Sequence, residues 1–141
     1  MFKKILLAVD LNQSKGKRRA AEAACQLVRA NEAELHVLNV VPESGMAMVG
    51  AALGPEHASK MKAEVEALLR AWVAEVLPAD IPAHLHVMQG TIYDTIIRTA
   101  DAVGADAIVV GAHRPELRDY LVGPNAARVV RHANQSVFVI R

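Results

Sequence analysis

Short apolar runs alternate with amphipathic stretches along this chain. Ile5 to Val9 and Ala107 to Val110 are unbroken apolar runs, which is the pattern of strands buried on both faces of a parallel sheet. Residues 84–88 alternate polar and apolar side chains, as expected of a strand at the edge of a sheet that is covered on one side only. The other two strands are predicted at residues 35–41 and 137–140.

Between these strands the apolar positions recur at helical spacing. The predicted core-facing positions are Ala20, Ala24, Leu27 and Val28 in a first helix, Met61, Val65, Leu68, Trp72 and Val76 in a second, and Ile92, Ile96, Ala100 and Val103 in a third. A short fourth helix is predicted from Pro124 to His132. The stretch from Glu43 to Pro55 is rich in Gly, Met and Ala without a clear period, and it is predicted to be a mobile loop.

This order of elements predicts a single α/β domain, residues 1–141, with a doubly wound five-stranded parallel sheet and helices on both faces. With the half-polar third strand at one edge, the expected strand order is 3-2-1-4-5. The chain then reverses direction across the sheet between the first and fourth strands, and ligands of open α/β sheets bind outside the carboxyl ends of strands at such a switch point. The residues placed there are Val9, Asp10, Leu11, Asn12, Gly111, Ala112, His113 and Arg114.

Composition narrows the class of protein. With 52% hydrophobic and 22% charged residues in 141, the chain can bury a full core as one domain. A formal net charge of +1 argues against a nucleic-acid partner. The single cysteine, Cys25, excludes an internal disulfide and fits a reducing compartment. The apolar run at the start is too short for an export signal, and no segment approaches the roughly 20 apolar residues of a membrane span, so a cytoplasmic protein without a membrane partner is expected.

Known phosphate-binding loops are absent from the sequence, which has neither G-x-G-x-x-G after the first strand nor G-x-x-x-x-G-K-[ST]. Two glycines remain as candidates. Gly111, at the end of the fourth strand, would let the backbone pass close to a ligand because it has no Cβ. Gly123, as the predicted N-cap of the fourth helix, would leave the first amides free to point at an anion. Glycine at a loop or a cap more often serves backbone geometry alone.

Five segments resemble the universal stress proteins, and most closely the short F/G-type subgroup. They are residues 4–10 (KILLAVD), 90–97 (GTIYDTII), 111–115 (GAHRP), 120–133 (YLVGPNAARVVRHA) and 136–141 (SVFVIR). The resemblance spans the chain apart from the stretch from Glu43 to Pro55. It implies the fold of the adenine nucleotide α-hydrolase-like group and a role in the stress response as a sensor or regulator. It also implies a homodimer, and pairing of the apolar last strand, Val137 to Ile140, with its own copy would bury that edge.

The nucleotide-binding branch of that family carries G-x-x-G, nine residues, then G-[ST]. By resemblance, Gly111 matches the glycine that approaches the ribose and Gly123 the glycine at the phosphates. Asp10 matches the acidic residue near base and metal, and Val40 the residue whose backbone reads the adenine edge. The implied ligand is ATP or AMP, with Mg²⁺ accompanying ATP. The implied binding residues are Val9, Asp10, Val40, Val110, Gly111, His113, Arg114, Gly123, Pro124 and Asn125.

Two departures from that pattern bear on affinity. Arg114 stands at the second glycine in a loop one residue shorter, as in the F/G-type subgroup. Pro124 replaces the Ser or Thr whose hydroxyl and N–H would meet phosphate, although proline suits the first position of a helix. Each lost charge-assisted hydrogen bond is worth about 1.5–3 kcal/mol, so affinity is expected to fall by an order of magnitude or more unless Asn125, Arg114 or Arg118 compensates.

Other polar residues have simpler interpretations. His84 and His86 share one face of the third strand and His36 lies on a neighbouring strand; with no Cys or carboxylate at ligand spacing, they are expected to be polar residues facing a helix or solvent, and no metal site is predicted. The basic cluster around Lys17 is expected to be a solvated helix surface, with contact to a phosphate as the alternative. Asp10 would either cap the turn after its strand or contact a ligand, and its place at the switch point favours the ligand.

Three functions stay open on these residues. The first is a nucleotide-responsive stress protein. The second is a dimeric interaction module of the same fold with a degenerate site, which Pro124 favours. The third and most remote is an enzyme that transfers adenylate. No nucleophile–base pair is evident, and a single histidine, His113 beside Arg114, supports at most slow hydrolysis of a bound nucleotide.

Overall fold

A computed structural model describes residues 1–12, 16–42, 51–112 and 123–141. Five strands, and four helices of nine or more residues, are defined in these ranges. The strands are β1 (Lys4–Val9), β2 (Glu34–Val41), β3 (Ala83–Gln89), β4 (Ala107–Gly111) and β5 (Ser136–Ile140). The helices are α1 (Lys17–Asn31), α2 (Pro55–Val76), α3 (Ile92–Val103) and α4 (Pro124–His132).

The five strands form one sheet in the order β3-β2-β1-β4-β5, and every neighbouring pair is parallel. This confirms the predicted order 3-2-1-4-5. β1 lies at the centre, where Leu7 is in register with Val37 on one side and Val109 on the other. All three side chains are fully buried, which explains why the central strands are continuous apolar runs.

Successive residues of each strand point to opposite faces of the sheet, so the sheet separates two hydrophobic cores. On one face Leu7 and Val37 pack in a cluster with Ala24 of α1 and Leu69 of α2. The opposite core is built from Leu6, Leu38 and Ile108 with residues of α3 and α4, among them Ile96, Ala100, Ala126 and Val129. Helices therefore cover both faces, as the alternation of strands and helices predicted.

The edge strand β3 has one apolar and one polar face. Leu85 and Val87 belong to the core that α1 and α2 cover. His84 and Met88, which alternate with them, are exposed. The prediction that residues 84–88 form a half-covered edge strand is confirmed.

Two expectations are corrected. Leu68 was placed on the buried face of the second helix, but it is 62% exposed, whereas the neighbouring Leu69 is fully buried. At about 100° per residue, Val65, Leu69 and Val76 lie within about 40° of one another around the helix, and Leu68 lies outside that arc. Both leucines fit a helical period, so the period alone does not choose between them.

The prediction of a loop from Glu43 to Pro55 is wrong for its described part, residues 51–55. Residues 51–53 are helical, and α2 begins at Pro55 after a break at Gly54, which has φ 90°. Proline at the first helical position suits this start because its fixed φ matches the helix. Residues 43–50 lie outside the described ranges. Within those ranges, none of the helices has the length and apolar character needed to cross a membrane.

Candidate functional site at the carboxyl end of the sheet

The switch point predicted from the strand order lies where β1 and β4 end. Ala8 is in register with Val110, and Val9 with Asn39, so the ends of β1, β2 and β4 meet at one edge of the sheet. The backbone thus brings Val9, Asp10, Val110 and Gly111 together there, as predicted. Val40 follows on β2, next to β3. His113 and Arg114 lie outside the described residues.

Asp10 is exposed immediately after β1. One oxygen of its carboxylate, Oδ1, accepts a hydrogen bond from the N–H of Asn12 at 3.0 Å. This is the local turn that aspartate commonly stabilises. The capping role considered from the sequence is therefore present. A carboxylate has several lone pairs, so this bond leaves acceptor capacity at the switch point.

Asn39 belongs to the same edge and was not identified from the sequence. It is a buried polar residue on β2, and its Nδ2 donates to the carbonyl of Val9 at 3.3 Å. This bond ties the end of β1 to β2 directly before Asp10. The sequence feature that could have identified it is a single amide side chain within a mostly apolar predicted strand. A buried amide must find a hydrogen-bond partner, so such a residue is expected to link two segments.

Helix α4 starts at this edge with Gly123 as its N-cap and Pro124 as its first residue, as predicted. Gly123 is buried, Pro124 is exposed and Asn125 is half-buried. Among the described residues no side chain caps this helix, and its first turn has no acidic residue. Because Pro124 has no N–H, the amides of Asn125 and Ala126 are the donors available at this terminus.

Helix α1 also starts at this edge, after Gly16, without an acidic residue in its first turn and without a side-chain cap from the described residues. Its first residues are instead basic. The ammonium of Lys17 donates to the carbonyl of Leu11 at 3.2 Å and lies 5.8 Å from the ring centre of Trp72. Arg18 is 3.6 Å from the carboxylate of Glu75. Cations thus gather where the helix dipole is already positive.

A groove of about 710 Å³ lies away from the switch point, between β3 and α3. His86 and Met88 of β3 line one wall, and Asp94 and Arg98 of α3 line the other. Arg98 and Asp94 form an ion pair at 2.9 Å across one helical turn. None of the described residues that line the groove is among the predicted binding residues.

The opposite, amino end of the sheet carries a polar cluster. Its carboxylate, Glu34, is 2.9 Å from His36 and 3.0 Å from His84, so the expectation that no carboxylate lies at ligand spacing from these histidines is wrong. The hydrogen bond from His36 holds the pKa of Glu34 below its usual value. Burial lowers the pKa of His36 and of His86.

The sheet order and the polar groups at its switch point define a doubly wound α/β protein with a candidate site at the carboxyl end. The model of the universal stress protein family matches residues 1–141, and the chain belongs to that family. Universal stress protein G of Shigella flexneri is 29% identical over 143 residues, which cover 100% of both chains.

Solved structures with the same fold include two complexes with nucleotides. A universal stress protein of Archaeoglobus fulgidus in complex with dAMP has a TM-score of 0.63 and 23% identity, covering 99% of this chain and 98% of that chain. A universal stress protein in complex with cAMP has a TM-score of 0.71 and 20% identity, covering 99% of this chain and 97% of that chain. At these identities the likeness concerns the fold.

Proposed function

We propose that this chain is a stress-response sensor or regulator that binds an adenine nucleotide, ATP or AMP, at the carboxyl end of its sheet. One observation carries the proposal. The two helices that follow the switch-point strands, α1 and α4, have no acidic residue in their first turns, whereas α2 and α3 have Glu56 and Asp94 there. Among the described helices, an acidic residue is therefore missing from the first turn only in the two that start beside the proposed site.

The charges at the start of α1 point to an anionic ligand. Basic side chains near the positive end of a helix dipole are unfavourable by about 0.3–1 kcal/mol each. A phosphate bound between the starts of α1 and α4 would offset this repulsion. Its oxygens would accept hydrogen bonds from the amides of Asn125 and Ala126. Lys17 is half-buried at the same end, where its ammonium lies beside the carbonyl of Leu11.

The remaining residues suit the other parts of a nucleotide. No described atom lies within 4 Å of the position that a Cβ on Gly111 would occupy, so a ribose has room to approach the backbone there. The buried Val9 and Val110, which pack in the cores on opposite faces of the sheet, would lie beneath the ligand at this edge, and the backbone of Val40 would meet the adenine edge. Asp10 would hold the Mg²⁺ that accompanies ATP. Complexes of two fold neighbours with dAMP and cAMP support an adenine nucleotide as the ligand class.

The first test is the nucleotide content of the purified protein, followed by calorimetric titration with Mg·ATP and with AMP. We expect copurified adenine nucleotide or a micromolar dissociation constant. Asp10→Ala should weaken binding of Mg·ATP at least tenfold, because the metal loses a charged ligand. Asp101→Ala is the matched control, since Asp101 is an exposed aspartate of α3 that accepts a hydrogen bond from Gln135. Equal loss in both variants would contradict the proposal.

Pro124 gives a test in the direction of tighter binding. Pro124→Ala restores an N–H at the first position of α4, and Pro124→Ser restores the N–H and adds a hydroxyl. If each donor meets phosphate, each step should tighten binding by an order of magnitude or more. Calorimetry of the two variants separates the two donors. Unchanged affinity in both would show that phosphate does not bind at the start of α4.

A second candidate function is a dimeric interaction module without a nucleotide, and Pro124 at the start of α4 favours it.

In either case we propose a homodimer that pairs through β5. This strand is at the edge of the sheet, and all four apolar residues from Val137 to Ile140 are only half-buried. Val139→Lys should convert dimers to monomers in sedimentation equilibrium. Dimers together with no heat of nucleotide binding would establish the second candidate.

A further inference from the structure

Three residues at the amino end of the sheet place metal-binding atoms on one face. Glu34 and His36 are two residues apart on β2, so their side chains point the same way. His84 is in register with His36 on the neighbouring strand β3. The rings of His36 and His84 are stacked, with their centres 4.7 Å apart. The parallel register thus brings the imidazole of His84 close to the carboxylate and the imidazole on β2, although the two strands are distant in sequence.

The spacing of the three groups is close to that of a coordination site. Glu34 Oε1 is 2.9 Å from His36 Nε2 and 3.0 Å from His84 Nε2, and one ligand atom from each of the three residues lies within 4.8 Å of the others. With Zn–N and Zn–O bonds of about 2.0–2.2 Å, the ligand atoms of a tetrahedral site lie about 3.3 Å apart. Small rotations of side chains therefore suffice to admit a cation.

We propose that Glu34, His36 and His84 bind one divalent cation of the Zn²⁺ class, with water at a fourth position. Two imidazoles and one carboxylate suit Zn²⁺, whereas Mg²⁺ and Ca²⁺ prefer oxygen ligands. The side chain of His36 is only 9% exposed, while those of Glu34 and His84 are 41% and 60% exposed. The site thus has one ligand anchored in the protein interior and an entry path from solvent.

His86 provides the outer contact that such sites use. His36 Nδ1 is 2.8 Å from His86 Nε2. A histidine that binds a metal through one ring nitrogen usually donates its other N–H to a neighbouring acceptor, which fixes the ring. With the cation bound to His36 Nε2, the proton of a neutral His36 is on Nδ1 and is donated to His86. Without the cation, Nε2–H donates to Glu34, and Nδ1 accepts from His86.

One nearby charge opposes the cation. Lys4 is in register with Glu34 on β1, and its ammonium donates to the carbonyl of Val103 at 3.2 Å. Removing this charge in Lys4→Met should therefore tighten metal binding. The proposal is independent of the nucleotide site, because that site lies at the opposite end of the sheet and shares no residue with this one.

The test uses tag-free, full-length protein stripped with EDTA and titrated with Zn²⁺ in competition with a chromophoric chelator. We expect one Zn²⁺ per chain, no displacement by excess Mg²⁺, and at least tenfold weaker binding in Glu34→Gln and His84→Gln. His57→Gln is the matched control because His57 is exposed on α2, away from the cluster. Wild-type protein that leaves all Zn²⁺ with the chelator, or His84→Gln that binds as tightly as wild type, would overturn the proposal.

His86 supplies a second readout. His86→Gln should weaken Zn²⁺ binding by about 10–100-fold, the usual effect of losing an outer partner. In long-range ¹H–¹⁵N spectra of the wild type, added Zn²⁺ should move the proton of His36 from Nε2 to Nδ1. His84 is exposed, so His84→Gln is expected to fold, and circular dichroism of each metal-free variant separates lost binding from lost structure. An unchanged His36 tautomer at saturating Zn²⁺ would exclude His36 as a ligand through Nε2.

Discussion

The two ends of the sheet satisfy their polar groups in different ways. At the amino end Asp106 binds partners that are distant in sequence. The carboxylate of Asp106 accepts the N–H of Lys3 at 2.9 and 3.1 Å and that of Lys4 at 3.2 Å, across about a hundred residues. Asp106 also donates its own N–H to the carbonyl of Lys4 at 3.0 Å. These contacts tie β1 to the chain entering β4.

At the carboxyl end Asn39 also bonds a distant residue, Val9, but the aspartate there has a local partner. Asp10 accepts from Asn12, two residues further on, and α1 and α4 begin without side-chain caps from the described part of the chain. The difference follows from the topology. Helices of a parallel α/β sheet begin at the carboxyl ends of the strands, so their unpaired N–H groups collect there. The amino end thus holds a framework of contacts within the protein, whereas at the carboxyl end the first amides of α1 and α4 have no side-chain cap from the described residues.

The largest expected effect compares how tightly the protein packs around two glycines at the carboxyl end of the sheet, Gly90 and Gly111. Gly90 follows β3 at the carboxyl end with φ 148°, and a Cβ there would lie 2.5 Å from Oγ1 of the buried Thr95. Gly90→Ala should therefore lower the free energy of unfolding by about 1–3 kcal/mol. Gly111→Ala should change it by less than about 0.5 kcal/mol, since no described atom crowds that position. Urea denaturation measures both, and equal losses would show that the switch point is packed as tightly as the end of β3.

A smaller effect compares one aspartate from each end. Asp106→Ala should lower the free energy of unfolding by about 1–2 kcal/mol, because two backbone N–H groups lose a charged acceptor in a partly exposed position. Asp10→Ala should cost less than about 1 kcal/mol, because it removes a single exposed bond within one turn. Denaturation of nucleotide-free protein measures both. If Asp10→Ala is the more destabilising, Asp10 belongs to the framework.

Sequence patterns predicted those features whose causes are local. The buried strands appeared as apolar runs, and α4 was predicted with its observed bounds, from Pro124 to His132, because glycine and proline mark its start. The switch point followed from the alternation of strands and helices together with the polar face of β3. The placement of Leu69 rather than Leu68 was missed, since both fit the helical period and packing against the sheet decides between them.

The polar cluster could not be predicted from spacing. Glu34 and His84 are fifty residues apart, and only the parallel register of β2 with β3 brings them to 3.0 Å. The alternation showed that His84 and His86 share a face, and the predicted order placed His36 on the neighbouring strand, but neither gave the register of the two strands. Asn39 was missed for a similar reason, because its partner is the carbonyl of Val9 on another strand.

The smallest expected effect concerns one basic residue at each end of the sheet, Arg19 at the start of α1 and Arg131 at the end of α4. Arg19 is exposed at the third position of α1, where an acidic residue is favourable. Arg19→Glu should raise the free energy of unfolding of nucleotide-free protein by about 0.3–1 kcal/mol and yet weaken AMP binding. Arg131→Glu, in the last turn of α4 at the amino end, should lower stability by a similar amount and leave AMP binding unchanged.

The opposite signs make this pair decisive, because a general effect of charge would move both variants in the same direction. Urea denaturation at low ionic strength gives the stabilities, and added salt should reduce both changes. Calorimetry with AMP gives the second readout. If Arg19→Glu stabilises the protein without weakening AMP binding, the start of α1 carries an unfavourable charge that serves no phosphate, and the anion site is confined to α4.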